Sequence, residues 1–146
     1  EVRELDYPSL LELDSPQLKT YPKETVLAEK VQAMISLDLA NSRMKDFYDV
    51  YIIVSVFSEE LNKEIVKKAV ETTFRHRGTE LPPQPRVWKE FFYGDENKKR
   101  QWAAFVKKTK SHQELSLETV CRSIEAYLLP LIEGIYNSKE NSSESK

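Results

Sequence analysis

Between residues 22 and 136 apolar side chains recur mostly three and four apart, the period of helices that each bury one face. Residues 22 to 39 form the first such stretch. Projected at about 100° per residue, Val26, Leu27, Val31, Met34, Ile35 and Leu37 share one arc. Pro22 suits a first helical position, and Glu24 places negative charge near the positive end of the helix dipole. A second helix is predicted from a cap at Ser42 to Phe57. Its run "VYIIVSVF" suits a buried strand equally on periodicity, but Asp46, Val50, Ile53 and Phe57 fall at helical spacing and favour the helix, with Lys45, Tyr48 and Ser55 turned the other way. Ser58 then opens "EELNKEIVKKAVETTFRH", with Leu61, Ile65, Val66 and Val70 on one side and Gly78 as the stop. After the connector "TELPPQPR" come a short helix around "VWKEFF" ending at Gly94, a fifth helix from Asp95 to about Lys108, and a sixth from Ser116 to about Tyr136. The sixth carries the stripe Leu117, Val120, Cys121, Ile124, Tyr127, Leu128, Leu131 and Ile135, with Pro130 predicted to kink it.

The ends read differently. Residues 1–20 hold Pro8, Pro16 and a small apolar patch at Leu10, Leu11 and Leu13, which suits an extended arm or an edge strand. The closing "NSKENSSESK", residues 137–146, is too poor in apolar surface to offset ordering entropy and is expected to be a disordered polar tail. The fold class that follows is mainly α: a bundle of about five or six helices over residues 21–136, preceded by the arm. A composition 40% hydrophobic and 32% charged with only 3 glycines agrees with helices rather than a turn-rich sandwich. At 146 residues the chain fits one domain with a core of its own.

A net charge of −2 gives no global attraction to nucleic acid or anionic membrane, so any basic site must be local. One cysteine, Cys121, excludes an internal disulfide framework and a multi-cysteine zinc site, and points to a reducing compartment, by default the cytoplasm. No apolar run reaches the roughly 20 residues needed to span a bilayer.

Charge enters the helical faces at three positions. Lys30 lies inside the apolar arc of the first helix, with Val26 and Met34 one turn away on either side, and Asp46 and Asp49 share the face of Val50, Ile53 and Phe57. An isolated buried charge is very costly, so such groups are paired, line a cleft or hold a ligand. Pattern leaves two readings open: an ion pair that fixes how two helices pack, or a cleft wall offering a cation to phosphate and a carboxylate to a metal or nucleophile.

The blocks "YPKETVLAEKVQAM" and "NSRMKDFYDVY", in that order and close together, resemble the later motifs of the AbiEii/AbiGii toxin family of nucleotidyltransferase-like proteins. The resemblance extends over roughly residues 7 to 110, through "TFRHRGTELP" and "RQWAAFVKK". It implies a two-lobed protein in which an N-terminal lobe with a Gly-Ser loop and paired acids binds Mg2+ and a nucleoside triphosphate, and a helical C-terminal lobe closes the cleft. It assigns activity to the lysine of "AEK" and the first aspartate of "KDFYD", here Lys30 and Asp46, with Asp49, Arg43 and Glu29 in support. The implied reaction moves a nucleotide from a triphosphate to an acceptor such as a tRNA 3′ end, and the implied partner is a cognate antitoxin. No Gly-Ser loop and no upstream Asp-x-Asp pair stand in this sequence, whose glycines are at 78, 94 and 134. The expectation is a C-terminal lobe, its arm a remnant of a missing catalytic lobe, that is inactive alone, carries no metal site of its own and has no cofactor bound.

One local basic feature remains. "KKRQWAAFVKKTK", residues 98 to 110, holds six basic residues and no acid around Trp102 and Phe105, a composition that can engage RNA backbone through Lys98, Lys99, Arg100, Lys107 and Lys108. Its projection separates the aromatic side from most of the cations, as a solvated helix face also would. Arg75, His76 and Arg77 end the third helix, where positive charge complements the dipole. Two other readings accompany the enzymatic one: a non-enzymatic helical module that binds a partner protein or RNA, and a regulatory partner that caps a separately encoded catalytic lobe.

Overall fold

The computed structural model describes residues 22–109 and 114–145, with side chains through residue 139. The expected arm, residues 1–20, lies outside them. Six helices follow in order: α1 Lys23–Leu37, α2 Met44–Val56, α3 Lys63–His76, α4 Glu90–Tyr93, α5 Glu96–Thr109 and α6 Leu117–Ser145, with short 3-10 turns at Asp38–Ala40, Ser58–Glu60 and Arg86–Trp88. No strand occurs among the described residues, and "VYIIVSVF" is helical. None of these helices is long and apolar enough to cross a membrane.

Helix α2 is the axis of the fold. It packs against α1, α5 and α6, and Phe47, Tyr48, Val50, Ile52 and Ile53 are all buried. This is why "VYIIVSVF" is apolar on most sides: neighbours cover most of the helix, and only its end at Ser55 and Val56 is exposed. Tyr48, placed outward by a single-face reading, is only 1% exposed because α5 covers it, its ring centroid 5.8 Å from that of Phe105. The opposite correction applies to Leu37 and Ile65, assigned to buried faces but 38% and 50% exposed. α1 turns into a 3-10 segment at Asp38, and α3 directs Val66, Val70, Thr73 and Phe74 inward instead.

Helix ends follow the polar residues nearby, though not always those the sequence singled out. Pro22 precedes α1, and its carbonyl accepts from Thr25 and Val26. Asp95 caps α5 through the Lys98 amide at 3.1 Å, and Ser116 caps α6 through that of Thr119 at 3.0 Å. Gly78, at φ 64, closes α3 by donating to Arg75 while Thr79 donates to Phe74, the paired bonds of a left-handed helix stop. Ser42 and Ser58, in contrast, cap nothing by their side chains: α3 is capped by Asn62, whose side chain accepts from Ile65 at 3.1 Å. The chain travels four residues beyond Ser58 because Leu61 inserts into the core and the Asn62 amide donates to the buried carboxylate of Glu24 at 2.9 Å. That bond ties the start of α3 to the first turn of α1.

The proline-rich connector is pinned at both ends. Gln32 donates to Thr79 at 2.8 Å, and Arg86 pairs with Asp38. "VWKEFF" divides into a 3-10 turn and α4, which sends Trp88 into the core with its indole nitrogen 3.3 Å from the Met34 sulfur and stacks Phe92 on Phe47 at 5.3 Å between centroids. α6 runs through Pro130 and on to Ser145. The polar stretch 137–145, expected to be disordered, thus prolongs the helix, since no glycine or proline after Gly134 interrupts it.

Cys121 is fully buried and donates weakly to the Val87 carbonyl at 3.5 Å. Burial, assisted by nearby Glu125, pushes its thiol far above the ordinary value of 9.0. The fold thus favours the neutral thiol: this stabilisation is complete below the unfolded value and drains away as pH rises past it. Urea titrations at increasing pH should show stability falling above about pH 9, with the fall reduced in Cys121→Ala, and native protein should resist alkylation by iodoacetamide. Asn62→Ala should cost about 1 kcal/mol in the same titrations and Ser58→Ala much less; equal losses would contradict the capping assignment.

Candidate active site

Helices α1 and α2 are consecutive and pack against each other, and their junction gathers the charged residues. Lys30 Nζ lies 3.2 Å from Asp49 Oδ2 and 3.7 Å from Asp46 Oδ1. The Asp49 side chain is fully buried and that of Asp46 is 5% exposed, whereas Lys30 retains 19%. Two further cations come from α2 and its entry. Arg43 Nε stands 3.1 Å from Asp46 Oδ2, without hydrogen-bond alignment, and Lys45 Nζ donates to Asp49 Oδ2 at 3.0 Å. These pairs are three and four residues apart, the spacing that brings side chains together on a helix. Asp46, in the first turn of α2, also faces the favourable end of the helix dipole.

The loop into α2 is held by one residue. Asn41 is fully buried; its amide nitrogen donates to the Met34 carbonyl at 3.0 Å, its side-chain oxygen accepts from the Arg43 amide at 2.7 Å, and its own carbonyl accepts from Lys98 at 2.7 Å. Asn41 thus satisfies an orphan carbonyl at the end of α1 and an orphan amide at the start of α2. The two helices that carry Lys30 and Asp46 are joined through it.

A surface depression of about 470 Å³ opens on this junction, lined by Thr25, Val26, Glu29, Lys30, Ala33, Arg43 and Asp46. Lys30, Arg43 and Asp46 reach it; Asp49 lies behind. Glu29 lines its edge and is paired with Arg77, just past the end of α3, at 2.8 Å; Arg77 itself lines a separate depression between α1 and α3. The ion pairs cross the junction of two helices, and their outer members line a recess.

The donor set suits an anion better than a metal. Among the described residues three cations meet two carboxylates here, and no group of three His, Cys, Asp or Glu side chains is assembled to hold a metal ion. Mg2+ is therefore poorly matched by Asp46 and Asp49 alone, whose charge is already opposed by ammonium and guanidinium groups.

The basic run on α5 does not act as one patch. Lys98 turns inward, bonded to Asn41 and 5.1 Å from the Phe92 ring centroid; Lys99 lies 3.9 Å from Glu96, and Arg100 pairs with Asn97. Lys107 and Lys108 are exposed near the helix end, while Trp102 is buried and donates to the Leu115 carbonyl at 2.8 Å. Asn41, Lys45 and the inward role of Lys98 escaped the sequence reading. Lys45 had a signal, its four-residue spacing to Asp49; the partners of Asn41 and Lys98 depend on how the loop folds.

The family model for the nucleotidyl transferase AbiEii toxin of type IV toxin–antitoxin systems matches residues 1–128. Searches of curated proteins and of solved structures give no match. With residues 1–128 of its 146 covered by that model, this chain belongs to the AbiEii nucleotidyl transferase toxin family.

Proposed function

We propose that this chain supplies the triphosphate-facing wall of a nucleotidyl transferase, and that the acceptor is RNA, with a tRNA 3′ end as the leading candidate. The observation that carries the reading is the Lys30 ammonium held 3.7 Å from Asp46 in a recess that Arg43 also lines. In such a reaction an acceptor hydroxyl oxygen bonds to the α-phosphorus of the nucleoside triphosphate as pyrophosphate leaves. Negative charge on the phosphate oxygens must be opposed by groups already in place. Lys30 and Arg43 oppose it, and Asp46 orients the acceptor hydroxyl by accepting its hydrogen bond.

The three glycines stand at a helix stop, a turn and within α6, at 78, 94 and 134, so none builds a phosphate-cradling loop. In this reading a separate lobe provides that loop and the acids that hold Mg2+, and the chain is inactive without it. No step is assigned to Mg2+ at Asp46 or Asp49. An antitoxin is the partner that the family implies. Of the basic residues on α5, the exposed Lys107 and Lys108 near its end are the ones left to meet RNA backbone.

With labelled triphosphates and tRNA, and the catalytic lobe present, Lys30→Met and Asp46→Asn should each lower transfer by about 10²–10³-fold, the range for removing one preorganised charge-stabilising group, with circular dichroism unchanged. Full activity in either variant would refute the assignment. Separately, Lys107→Ala with Lys108→Ala should make RNA binding less salt-dependent, lowering the slope of log affinity against log salt by about 1 per lysine. An unchanged slope would remove α5 from contact with RNA.

A further inference from the structure

We propose that Asp49 is the positioning residue for Lys30, so that Asp46, the aspartate in the recess, is left to face the substrate. This rests on the nucleotide-transfer reading and divides labour between two aspartates that sequence spacing cannot separate.

Three observations converge. Lys30 forms ion pairs with both aspartates and is nearer to Asp49, at 3.2 Å, than to Asp46, at 3.7 Å. Asp46 lines the depression together with Lys30, whereas Asp49 is fully buried behind them and meets no part of it. Asp46 also has its second oxygen beside Arg43 at 3.1 Å, a contact from the recess side.

The energetics of Asp49 agree with a fixed anchor. Its Oδ2 accepts from Lys45 and meets Lys30, while among the described residues Oδ1 has no hydrogen-bond partner. A buried carboxylate with one oxygen serving two ammonium groups and the other unserved is costly to keep for packing alone. The backbone beneath it cannot yield, since α2 is enclosed by α1, α5 and α6 and both neighbours of Asp49 in sequence, Tyr48 and Val50, are buried. Lys30 has a flexible four-carbon stem, and a fixed anion at its end converts that freedom into one ammonium position over the recess.

The test uses the protein with its catalytic lobe, isotopically labelled for observation of lysine ammonium groups by NMR, with inorganic tripolyphosphate as the probe. In the wild type, the Lys30 ammonium signal should stand apart from the averaged position of surface lysines; a Lys30 signal already at that position overturns the proposal without need of any variant. Asp49→Asn should return the Lys30 signal to the averaged position of surface lysines, while Asp46→Asn leaves it in place. Tripolyphosphate affinity should fall about tenfold in Asp49→Asn, the loss expected when a charge-assisted bond no longer orients a cation. In a Lys30→Met background Asp49→Asn should cause no further loss, because a residue that acts only through Lys30 has nothing left to position. An equal loss in both backgrounds assigns Asp49 a structural role and overturns the proposal. In transfer assays Asp49→Asn should raise KM for the triphosphate more than it lowers kcat, and Asp46→Asn should do the opposite. A wild type that ignores tripolyphosphate while its Lys30 signal answers to Asp49 overturns the nucleotide reading and leaves the hold on Lys30 standing.

Discussion

A carboxylate placed where water cannot reach it must bring its own counter-charges, and at Asp49 this requirement shapes the junction of the first two helices. Lys45 comes from α2 itself, one turn before Asp49, and Lys30 from α1, so the pairing with Lys30 depends on how the two helices pack. Partnered buried charges add little net stability over an apolar replacement, but losing one partner is severe. The cluster therefore acts on specificity of packing more than on its depth, and the recess inherits its shape from that packing.

The same logic of satisfying polar groups across elements recurs around the site. Glu24 holds the first amide of the α3 entry, Asn41 bridges the end of α1 to the start of α2, and Lys98 reaches from α5 to the Asn41 carbonyl. Each uses one buried or half-buried side chain to close an orphan backbone group that a helix end would otherwise leave open. Apolar packing around α2 supplies much of the burial, with Phe92 of α4 stacked on Phe47 of α2 and Trp88 set against Met34 of α1. Polar side chains then decide where each helix starts and stops relative to the recess.

Much of this was legible in the residues. Among the described helices, α1, α3, α5 and α6 carry their own signal as amphipathic stretches, and Gly78, Asp95 and Ser116 act at their helix ends by local geometry alone. Lys30 and Asp46 stood out because charge on an apolar arc demands a partner. Failures came where tertiary contacts outrank local pattern. Ser58 looks like a cap until Leu61 is drawn into the core, Tyr48 looks outward until α5 covers it, and Lys98 reads as part of a basic face until it meets Asn41. Which aspartate holds the lysine is a matter of half an ångström that no spacing rule contains.

The short loop between α1 and α2, pinned by Asn41, also bears on how the recess comes into being. Its charged residues are near neighbours along the chain, so little entropy of loop closure stands between the unfolded chain and their encounter. Lys30, Asp46 and Asp49 can meet as one helical hairpin condenses, ahead of the distant docking of α6. Every residue that lines the recess falls between Thr25 and Asp46, so its charges are supplied by one short stretch of chain and need no distant segment.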